Sequence, residues 1–435
     1  MEFSINNPQF WRKYGRTQDE KEELELEIDK DGNLKIPQEI KEKLNISAGT
    51  KLKLEVGNSS MKIKRADPTL TKVYVEPTTN CNLNCKTCVR HAWDESLGEM
   101  DYSTYNNLIN ELKDFNTVEK ISFWGIGEPL YHDDIVKMIK EAKKLNVETQ
   151  IITNGLLLDE DMAKGLLEAD LDSLVVSIDG TSPETMSNIR LGADLKKIIR
   201  NVKRFNYLNN NKIRANAEIG IEYVIMKSNI NELKDLRKLA FELGASFVFL
   251  TNLLPYTKSM TDEILYSRSI SRSKPTNRSP LRPEVYLPPV DLNDEVVKQI
   301  AEVMGKTSSI STRQVPFDPH GGHCKFVDEG SIAVNYKGEI SPCIALMHSY
   351  TCYIREREKH FKGYYLGNIN NKELKKIWND EEFKSFRKKV IEFPFSECTQ
   401  CSGCDFSKTN EEDCHGNEFP VCGDCLWAKG VIQCP

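Results

Sequence analysis

Alternating strand-like and helix-like hydrophobic patterns fill the middle of the chain. Six short apolar runs predict strands at 73–76, 120–124, 148–153, 173–178, 217–225 and 246–250. Amphipathic stretches between them, such as 135–145 and 231–243, predict helices. Because strand and helix alternation produces right-handed crossovers, we expect a parallel sheet. Six such units are fewer than the eight of a closed barrel, so the predicted fold class is α/β, with a partial (β/α)6 barrel at 70–255.

The pattern differs on both sides of this region. Residues 23–66 alternate apolar and polar positions in four short runs around a predicted helix at 38–44, which indicates a small β-rich domain. Residues 256–290 break the strand–helix rhythm: the stretch at 267–275 is low in apolar content, and several prolines follow it. Such a segment is typical of a linker or lid, which we place at 256–314. Residues 315–435 are predicted to form a C-terminal domain that contains most of the cysteines.

Composition excludes several classes of protein. The chain has 435 residues, 39% hydrophobic and 29% charged, and no apolar stretch approaches the length of a membrane span. A formal net charge of -6 argues against a protein that binds nucleic acid over much of its surface, although a chain with this net charge can still carry local basic patches. The first eight residues have neither the cationic flank nor the apolar run of a secretory signal, so we expect a cytoplasmic protein without membrane association.

The number and distribution of the cysteines are the most informative feature of the composition. The 13 cysteines are an odd number in a long chain without an export signal, so a disulfide framework explains them poorly. Three lie at 81–88, none lies at 89–323, and the other ten lie at 324–435. This distribution predicts one metal site in the first half of the chain and at least one more near the C-terminus.

Cys81, Cys85 and Cys88 follow directly after the first predicted barrel strand. Thiolates are the ligands of iron–sulfur clusters, and three of them on one tight loop can hold three of the four irons of a cubane. The fourth iron then keeps an open position, where a metalloenzyme binds its reactant. A structural zinc site is the alternative, but it needs four ligands, and only His91 lies at a suitable spacing.

This C-x3-C-x2-C loop resembles the signature of radical S-adenosylmethionine (SAM) enzymes. The resemblance implies a catalytic [4Fe-4S] cluster on the three cysteines, whose open iron binds SAM and whose electron cleaves it to a 5′-deoxyadenosyl radical. Three later strand ends, GIGEP at 125–129, TNG at 153–155 and SIDG at 177–180, are similar to the SAM-binding positions of that family. The residues expected to contact SAM are Gly125, Gly127, Glu128, Asn154, Ser177, Asp179 and Arg190. For Arg190 an ordinary surface role remains open.

The C-terminal cysteines resemble a second family. Cys324 and the segment GEISPC at 338–343 match the opening of the SPASM domain, which implies one or two auxiliary [4Fe-4S] clusters. The candidate ligands are Cys324, Cys343, Cys398, Cys401, Cys404, Cys414, Cys422, Cys425 and Cys434. Which thiol serves which cluster stays open, and Cys352 is expected to be a free thiol. Paired zinc ribbons are the alternative for the C-x2-C pairs.

Within the radical SAM class, the stretches TTNCNLNCKTCVRHAW, FWGIGEPL and CGDCLWAKGVIQCP are most similar to the tungsten-cofactor oxidoreductase maturases. The resemblance implies an oxidoreductase or maturase that acts on the pterin cofactor of a tungsten-dependent aldehyde ferredoxin oxidoreductase, or on that oxidoreductase. A ferredoxin or flavodoxin is the expected electron donor. The alternative within the class is a peptide- or protein-modifying enzyme of the sulfatase-maturase or ribosomal-peptide-maturase type.

The phrase GNLKIPQEIKEKLNISAGTKLKLEV in the first domain resembles the AbrB/MazE-like swapped-hairpin domain. That fold interlaces two chains, so the resemblance implies a homodimer. Its relatives often bind DNA, and the basic residues at 51–65 could serve that purpose or simply solvate an exposed β-face. An iron–sulfur DNA-binding regulator is therefore the alternative from another class of function.

Overall fold

The computed structural model describes Lys30, Ile46, Thr50, Gln299 and the ranges 35–43, 52–56, 61–65, 67–211, 217–267, 324–399 and 404–433. The chain divides into two compact units, Met1–Arg65 and Ala66–Pro435. Cys401, Cys434 and most of the predicted linker lie outside the described residues.

In the first unit the described elements are one helix and one hairpin. Helix α1 (Gln38–Lys43) is followed by strands β1 (Leu52–Val56) and β2 (Met61–Arg65). The two strands pair antiparallel, with Leu52 opposite Arg65 and Val56 opposite Met61. These elements fall where the alternating pattern and the short predicted helix placed them, while most of the remainder of the predicted swapped-hairpin domain at 23–66 lies outside the described residues.

The second unit contains one large sheet with helices around it. Its strands are β3 (Lys72–Val75), β4 (Lys120–Phe123), β5 (Glu148–Thr153), β6 (Ser173–Ser177), β7 (Glu218–Ile225), β8 (Phe247–Asn252), β9 (Ser331–Val334), β10 (Glu339–Ser341), β11 (Tyr350–Ile354), β12 (Arg357–Phe361) and β13 (Gly367–Asn368). Its helices are α2 (Tyr102–Leu112), α3 (Ile135–Lys143), α4 (Glu160–Glu168), α5 (Pro183–Ile189), α6 (Leu195–Asn211), α7 (Leu233–Leu243), α8 (Lys325–Asp328), α9 (Leu374–Trp378) and α10 (Glu381–Glu392).

Strands β3 to β8 run parallel and lie side by side in chain order. This arrangement confirms the predicted partial barrel of six strand–helix units, and the observed strand ends differ from the predicted ones by at most two residues. Strands β3 and β6 are buried along their whole length, as expected for parallel strands whose faces are both covered. The carboxyl ends of all six strands therefore meet at one edge of the sheet.

The sheet continues past the predicted barrel. Strand β9 pairs parallel with β3, with Ile332 opposite Val73, and β10 and β13 add two antiparallel strands beyond it. The sheet thus has nine strands, in the order β13-β10-β9-β3-β4-β5-β6-β7-β8. The first strands of the predicted cysteine-rich domain are joined directly to the first strand of the barrel.

Residues 256–267, at the start of the predicted linker, pack against the barrel. Tyr266 is buried, and its hydroxyl donates a 2.8 Å hydrogen bond to the carbonyl of Leu253. The backbone of Lys227 donates to the carbonyl of Glu263 at 3.0 Å. The part of the linker that the structure describes is therefore continuous with the hydrophobic core.

Strands β11 and β12 form a separate antiparallel hairpin after β10. The apolar side chains of this hairpin pack in a second hydrophobic cluster with Leu253, Leu254 and residues from the end of the chain. In the described part of the chain, every helix is too short or too polar to cross a bilayer.

Candidate active site and cysteine clusters

The loop after β3 carries Cys81, Cys85 and Cys88, and all three side chains are partly exposed. Burial raises the pKa of the Cys81 thiol, and it raises the pKa of Cys85 to about 11. A thiol with so high a pKa stays protonated at neutral pH until a metal displaces the proton. The loop thus presents three potential ligands at the carboxyl edge of the sheet, which is where ligands bind in α/β folds.

The glycines of the second strand end bring its backbone against the cysteine loop. A Cβ atom on Gly127 would lie 2.3 Å from the carbonyl oxygen of Thr78 and 2.5 Å from that of Asn80. A Cβ atom on Gly125 would lie 2.5 Å from Cγ of Glu76. The absence of a side chain at these two glycines thus lets the chain segment that leads into Cys81 approach closely, and their contact with a ligand stays a prediction.

Glu128 is buried and already surrounded by donors. Its carboxylate accepts hydrogen bonds from the backbone of Leu130 at 3.0 Å, from the Thr153 hydroxyl at 2.7 Å and from the backbone of Asn154 at 2.7 Å. Burial raises the pKa of Glu128, and the three hydrogen bonds lower it, but the effect of burial is the larger. Glu128 therefore fixes the end of β5 to the glycine stretch.

Asn154, held in this way, reaches the cysteine loop. Its side-chain amide donates to Oδ1 of Asn82 at 2.8 Å and lies 3.9 Å from Sγ of Cys81. The second and third strand ends therefore converge on the first cysteine, as the sequence predicted from their shared edge.

The fourth strand end carries a buried ion pair. Nε of Arg190 donates to Oδ2 of Asp179 at 2.7 Å, and Oδ1 of Asp179 accepts from the backbone of Val224 at 2.9 Å. Burial opposes the charged form of Arg190, but Asp179 and the neighbouring thiol of Cys85 hold the pKa of Arg190 above its ordinary value. Asp179 thus fixes the Arg190 guanidinium close to the cysteine loop, and the surface role left open for Arg190 is wrong.

Ser177 contacts a carboxylate that the sequence analysis did not single out. The Ser177 hydroxyl donates to Oε2 of Glu222 at 3.1 Å, and burial together with the charge of Asp179 raises the pKa of Glu222 to about 7. A glutamate inside the apolar pattern of β7 was the signal available in the sequence. The site therefore contains two acidic groups around one arginine.

Arg90 is a second residue that sequence analysis missed. Its Nε donates to Sγ of Cys88 at 3.3 Å, and its guanidinium also donates to the carbonyl of Leu83 at 2.5 Å. The only signal in the sequence was a basic residue two positions after the last cysteine of the motif. Arg90 places a positive charge at the cysteine loop, where it would attract the negative charge of thiolates.

Four of the C-terminal cysteines line one apolar cavity. These are Cys324, Cys343, Cys422 and Cys425. Burial raises the pKa of each of the four thiols. Four thiols around one enclosed cavity match the four-thiolate ligand set of a [4Fe-4S] cluster. The sequence left this grouping open, and the structure brings together residues that lie up to 101 positions apart.

The other described C-terminal cysteines do not line that cavity. Cys398 is partly exposed, and Cys404 and Cys414 are exposed. Burial raises the pKa of Cys398, and the nearby Cys414 adds to this effect. Cys352 is fully buried on β11 and does not line the cavity. Within the described ranges, no three cysteine, histidine or acidic side chains come close enough together to hold a single metal ion.

Two family models and several known proteins are similar to this chain. Residues 75–240 match the family model described as "Radical SAM superfamily", and residues 324–405 match the SPASM model, described as "Iron-sulfur cluster-binding domain". The chain is 32% identical over 371 residues to the "Tungsten-containing aldehyde ferredoxin oxidoreductase cofactor-modifying protein" of Pyrococcus furiosus, covering 83% of this chain and 96% of that protein.

Two further relatives extend the comparison. The chain is 24% identical over 369 residues to the "AdoMet-dependent heme synthase" of Methanosarcina barkeri, covering 81% of this chain and 93% of that protein. Its fold is similar to that of Streptococcus suis SuiB, solved bound to S-adenosylmethionine, with a TM-score of 0.52 and 17% identity over 80% of this chain and 73% of that one.

Proposed function

Because the chain belongs to the radical SAM superfamily, and within it to the family of the tungsten-containing aldehyde ferredoxin oxidoreductase cofactor-modifying protein, we propose that it uses SAM to mature a tungsten enzyme. Its cofactors are SAM and [4Fe-4S] clusters. The observation that carries the proposal is the loop of Cys81, Cys85 and Cys88, which offers three thiols at the sheet edge where polar side chains from three other strand ends converge.

Cys81, Cys85 and Cys88 would hold the catalytic cluster. When bound there, the cluster supplies the electron that cleaves SAM to methionine and a 5′-deoxyadenosyl radical, which takes a hydrogen atom from the substrate. Arg90, donating to Cys88, would offset the negative charge of the thiolates.

The residues around this loop would bind SAM and orient it. Arg190, fixed by Asp179, is suited to the carboxylate of SAM, since a guanidinium pairs well with a carboxylate. Asn154 offers its amide beside Cys81, and Ser177 and Glu222 offer a hydroxyl and a carboxyl group for polar parts of SAM. Gly125, Gly127 and Glu128 keep the loops at the required distance from one another.

Cys324, Cys343, Cys422 and Cys425 would hold one auxiliary cluster with all four irons ligated. Cys398, Cys401, Cys404, Cys414 and Cys434 remain the candidates for a second cluster. A cluster without an open position suits electron transfer, so the auxiliary sites would carry an electron to or from the substrate rather than bind SAM.

The substrate we propose is the tungsten-pterin cofactor or the oxidoreductase that receives it, because that is what the name of the Pyrococcus furiosus relative states for that protein. A ferredoxin or flavodoxin in a reducing cytoplasm would supply the electron, and such a compartment also keeps the cysteines available as ligands. Dimerisation through the first unit is a further proposal.

The test is an anaerobic assay of the reconstituted full chain with SAM and a reductant, measuring 5′-deoxyadenosine by liquid chromatography. We expect Cys85→Ala to abolish the product, while the matched control Cys352→Ala, which removes a buried thiol elsewhere, retains it. A Cys85→Ala protein that still cleaves SAM would contradict the assignment. Mass spectrometry of a tungsten oxidoreductase precursor and of a peptide substrate, each incubated in the same assay, would separate the two kinds of maturase.

A further inference from the structure

A buried charged bridge joins the cysteine-rich segment to the first barrel strand. His348 follows the short turn after Cys343, and Glu76 directly follows β3. Nε2 of His348 lies 2.8 Å from Oε2 of Glu76, and the two side chains are 2% and 0% exposed. Because both side chains are buried, they cannot contact a substrate. Any effect they have on function must pass through the residues that they contact.

A second carboxylate faces the other side of the imidazole. Nδ1 of His348 lies 3.2 Å from Oε2 of Glu95, a contact that is poorly directed for a hydrogen bond but close enough for strong attraction between charges. Lys337 in turn contacts Glu95 at 3.1 Å, and the ring of Trp93 packs edge-on against the imidazole at 5.0 Å. Burial favours the neutral imidazole, but the two carboxylates outweigh it and raise the pKa of His348 to about 9.

Glu76 carries the bridge on to the glycine stretch. Its other oxygen, Oε1, accepts a 3.0 Å hydrogen bond from the backbone of Ile126, between the two glycines. A Cβ atom on Gly125 would meet Cγ of Glu76, so the glycine stretch lies directly against this carboxylate. The glycine stretch is held in turn to the cysteine loop, because the backbone of Glu128 donates to the carbonyl of Asn80 at 2.8 Å.

Removing one member of this bridge leaves the other charged and buried. A buried charge without a partner is strongly unfavourable, so the freed Glu76 carboxylate would move toward water or take up a proton. Movement withdraws the acceptor that fixes the Ile126 N–H, and protonation weakens it, because a neutral carboxyl oxygen accepts a weaker hydrogen bond than a carboxylate does. The effect of a change at His348 should therefore appear at the glycine stretch.

We propose that His348 is a positioning residue for SAM: through Glu76 it holds the glycine stretch at 125–127 in the shape that binds SAM, and so makes SAM binding depend on the cysteine-rich segment. This inference rests on the proposed function, since it assumes that the glycine stretch borders the SAM site. It assigns to His348 a role that neither cluster ligation nor catalysis requires.

The test compares His348→Ala, His348→Gln and the control His360→Ala in the full chain, reconstituted anaerobically. A glutamine side chain can place its amide N–H where Nε2 of His348 lies, and so keeps a donor for Glu76. His360 is an exposed histidine of the same segment. The readouts are the Kd for SAM, the KM for SAM and kcat in 5′-deoxyadenosine formation, and iron content.

We expect His348→Ala to weaken SAM binding about tenfold or more and to raise KM more than it lowers kcat, with unchanged iron content. His348→Gln should restore the Kd to within about threefold of the wild type, and His360→Ala should not change it. Equal SAM affinity in the wild type and His348→Ala would overturn the inference, as would an equal loss in the alanine and glutamine variants.

If His348→Ala does not assemble its clusters, Glu95→Gln decides the question. This variant keeps the shape of the side chain but weakens the attraction that orients His348, so the Kd for SAM should rise about two- to fivefold. An unchanged Kd in Glu95→Gln would overturn the inference. A wild-type protein that binds no SAM would instead refute the proposed function, which separates the two failures.

Discussion

Arg90 places a positive charge 3.3 Å from Sγ of Cys88, one of the thiols proposed as cluster ligands. Burial works against its guanidinium charge, yet the hydrogen bond to Cys88 raises the pKa of Arg90, so it is a cation at every working pH. A positive charge beside a cluster stabilises the reduced state, which carries one more electron.

We therefore expect Arg90→Gln to shift the reduction potential of the SAM-binding cluster to more negative values. Electron paramagnetic resonance during a redox titration without SAM would measure the shift. Lys86→Gln is the matched control, because it removes a charge from the same loop at an exposed position that water screens. Equal shifts in both variants would show that the hydrogen bond to Cys88 is not the cause.

The His348 bridge predicts a specific dependence of stability on pH. The pKa of His348 is about 9 in the folded protein and about 6.5 when unfolded, so its contribution is complete below pH 6.5 and lost as pH rises through 9. Lys337 and Tyr365 also lie near this group, and both have pKa values above their ordinary ones, so neither loses its proton in that window. Glu95, whose pKa is lowered to about 2, stays charged throughout it.

The difference in free energy of unfolding between wild type and His348→Gln should thus shrink by on the order of 3 kcal/mol from about pH 6.5 to about pH 9.5, at about 1.4 kcal/mol for each pKa unit. Urea unfolding under anaerobic conditions at several pH values would measure it. A difference that does not change with pH would show that His348 is neutral in the folded protein.

At the scale of elements, the strand–helix units were predictable because each depends on a local pattern. The apolar runs of β3 to β8 and the amphipathic faces of α3 and α7 repeat with the periods of a strand and a helix, so their limits were close to those observed. Strands β10 and β13 contain only three and two residues, too few to establish a period. The pairing of β9 with β3 joins segments more than 250 positions apart, which no local pattern encodes.

The same distinction holds for the candidate site. The cysteine spacing and the strand-end motifs are local, and the sequence located them correctly at one edge of the sheet. The contact between Glu76 and His348 spans 272 positions and could not be read from either segment alone. Glu222 was missed for a different reason, because a single acidic residue in an apolar strand does not reveal which groups surround it.

The cavity lined by four cysteines predicts a defined loss of iron. Cys343→Ala should remove about four irons per chain and leave the spectrum of the SAM-binding cluster intact, because a cubane needs all four thiolates of this closed set. Cys352→Ala, a buried cysteine outside the cavity, should keep its full iron content. Iron and sulfide analysis with electron paramagnetic resonance would distinguish these results. Full iron content in Cys343→Ala would exclude Cys343 as a ligand.

At the scale of the whole molecule, the chain divides between two units with different proposed tasks. All the described candidate cysteines, the bridge at His348 and both family matches lie in Ala66–Pro435, while the segment that resembles a swapped-hairpin domain lies in Met1–Arg65. The second unit has its own continuous sheet and hydrophobic core. The radical chemistry should therefore be independent of the first unit.

Deleting residues 1–65 tests two proposals: that the radical chemistry does not depend on the first unit, and that the first unit forms the dimer. The shortened chain should still assemble its clusters and form 5′-deoxyadenosine at a rate within about twofold of the full chain, because the part removed contributes no described residue to the site. Its mass by light scattering should fall from that of a dimer to that of a monomer, since the swapped-hairpin resemblance attributes pairing to the first unit. A shortened chain that remains dimeric would refute that attribution, whereas loss of SAM cleavage would show that the first unit supports the active site. If the full chain instead binds duplex DNA with a strong salt dependence, and Cys85→Ala does so equally, a regulatory role would reside in the first unit beside the enzyme.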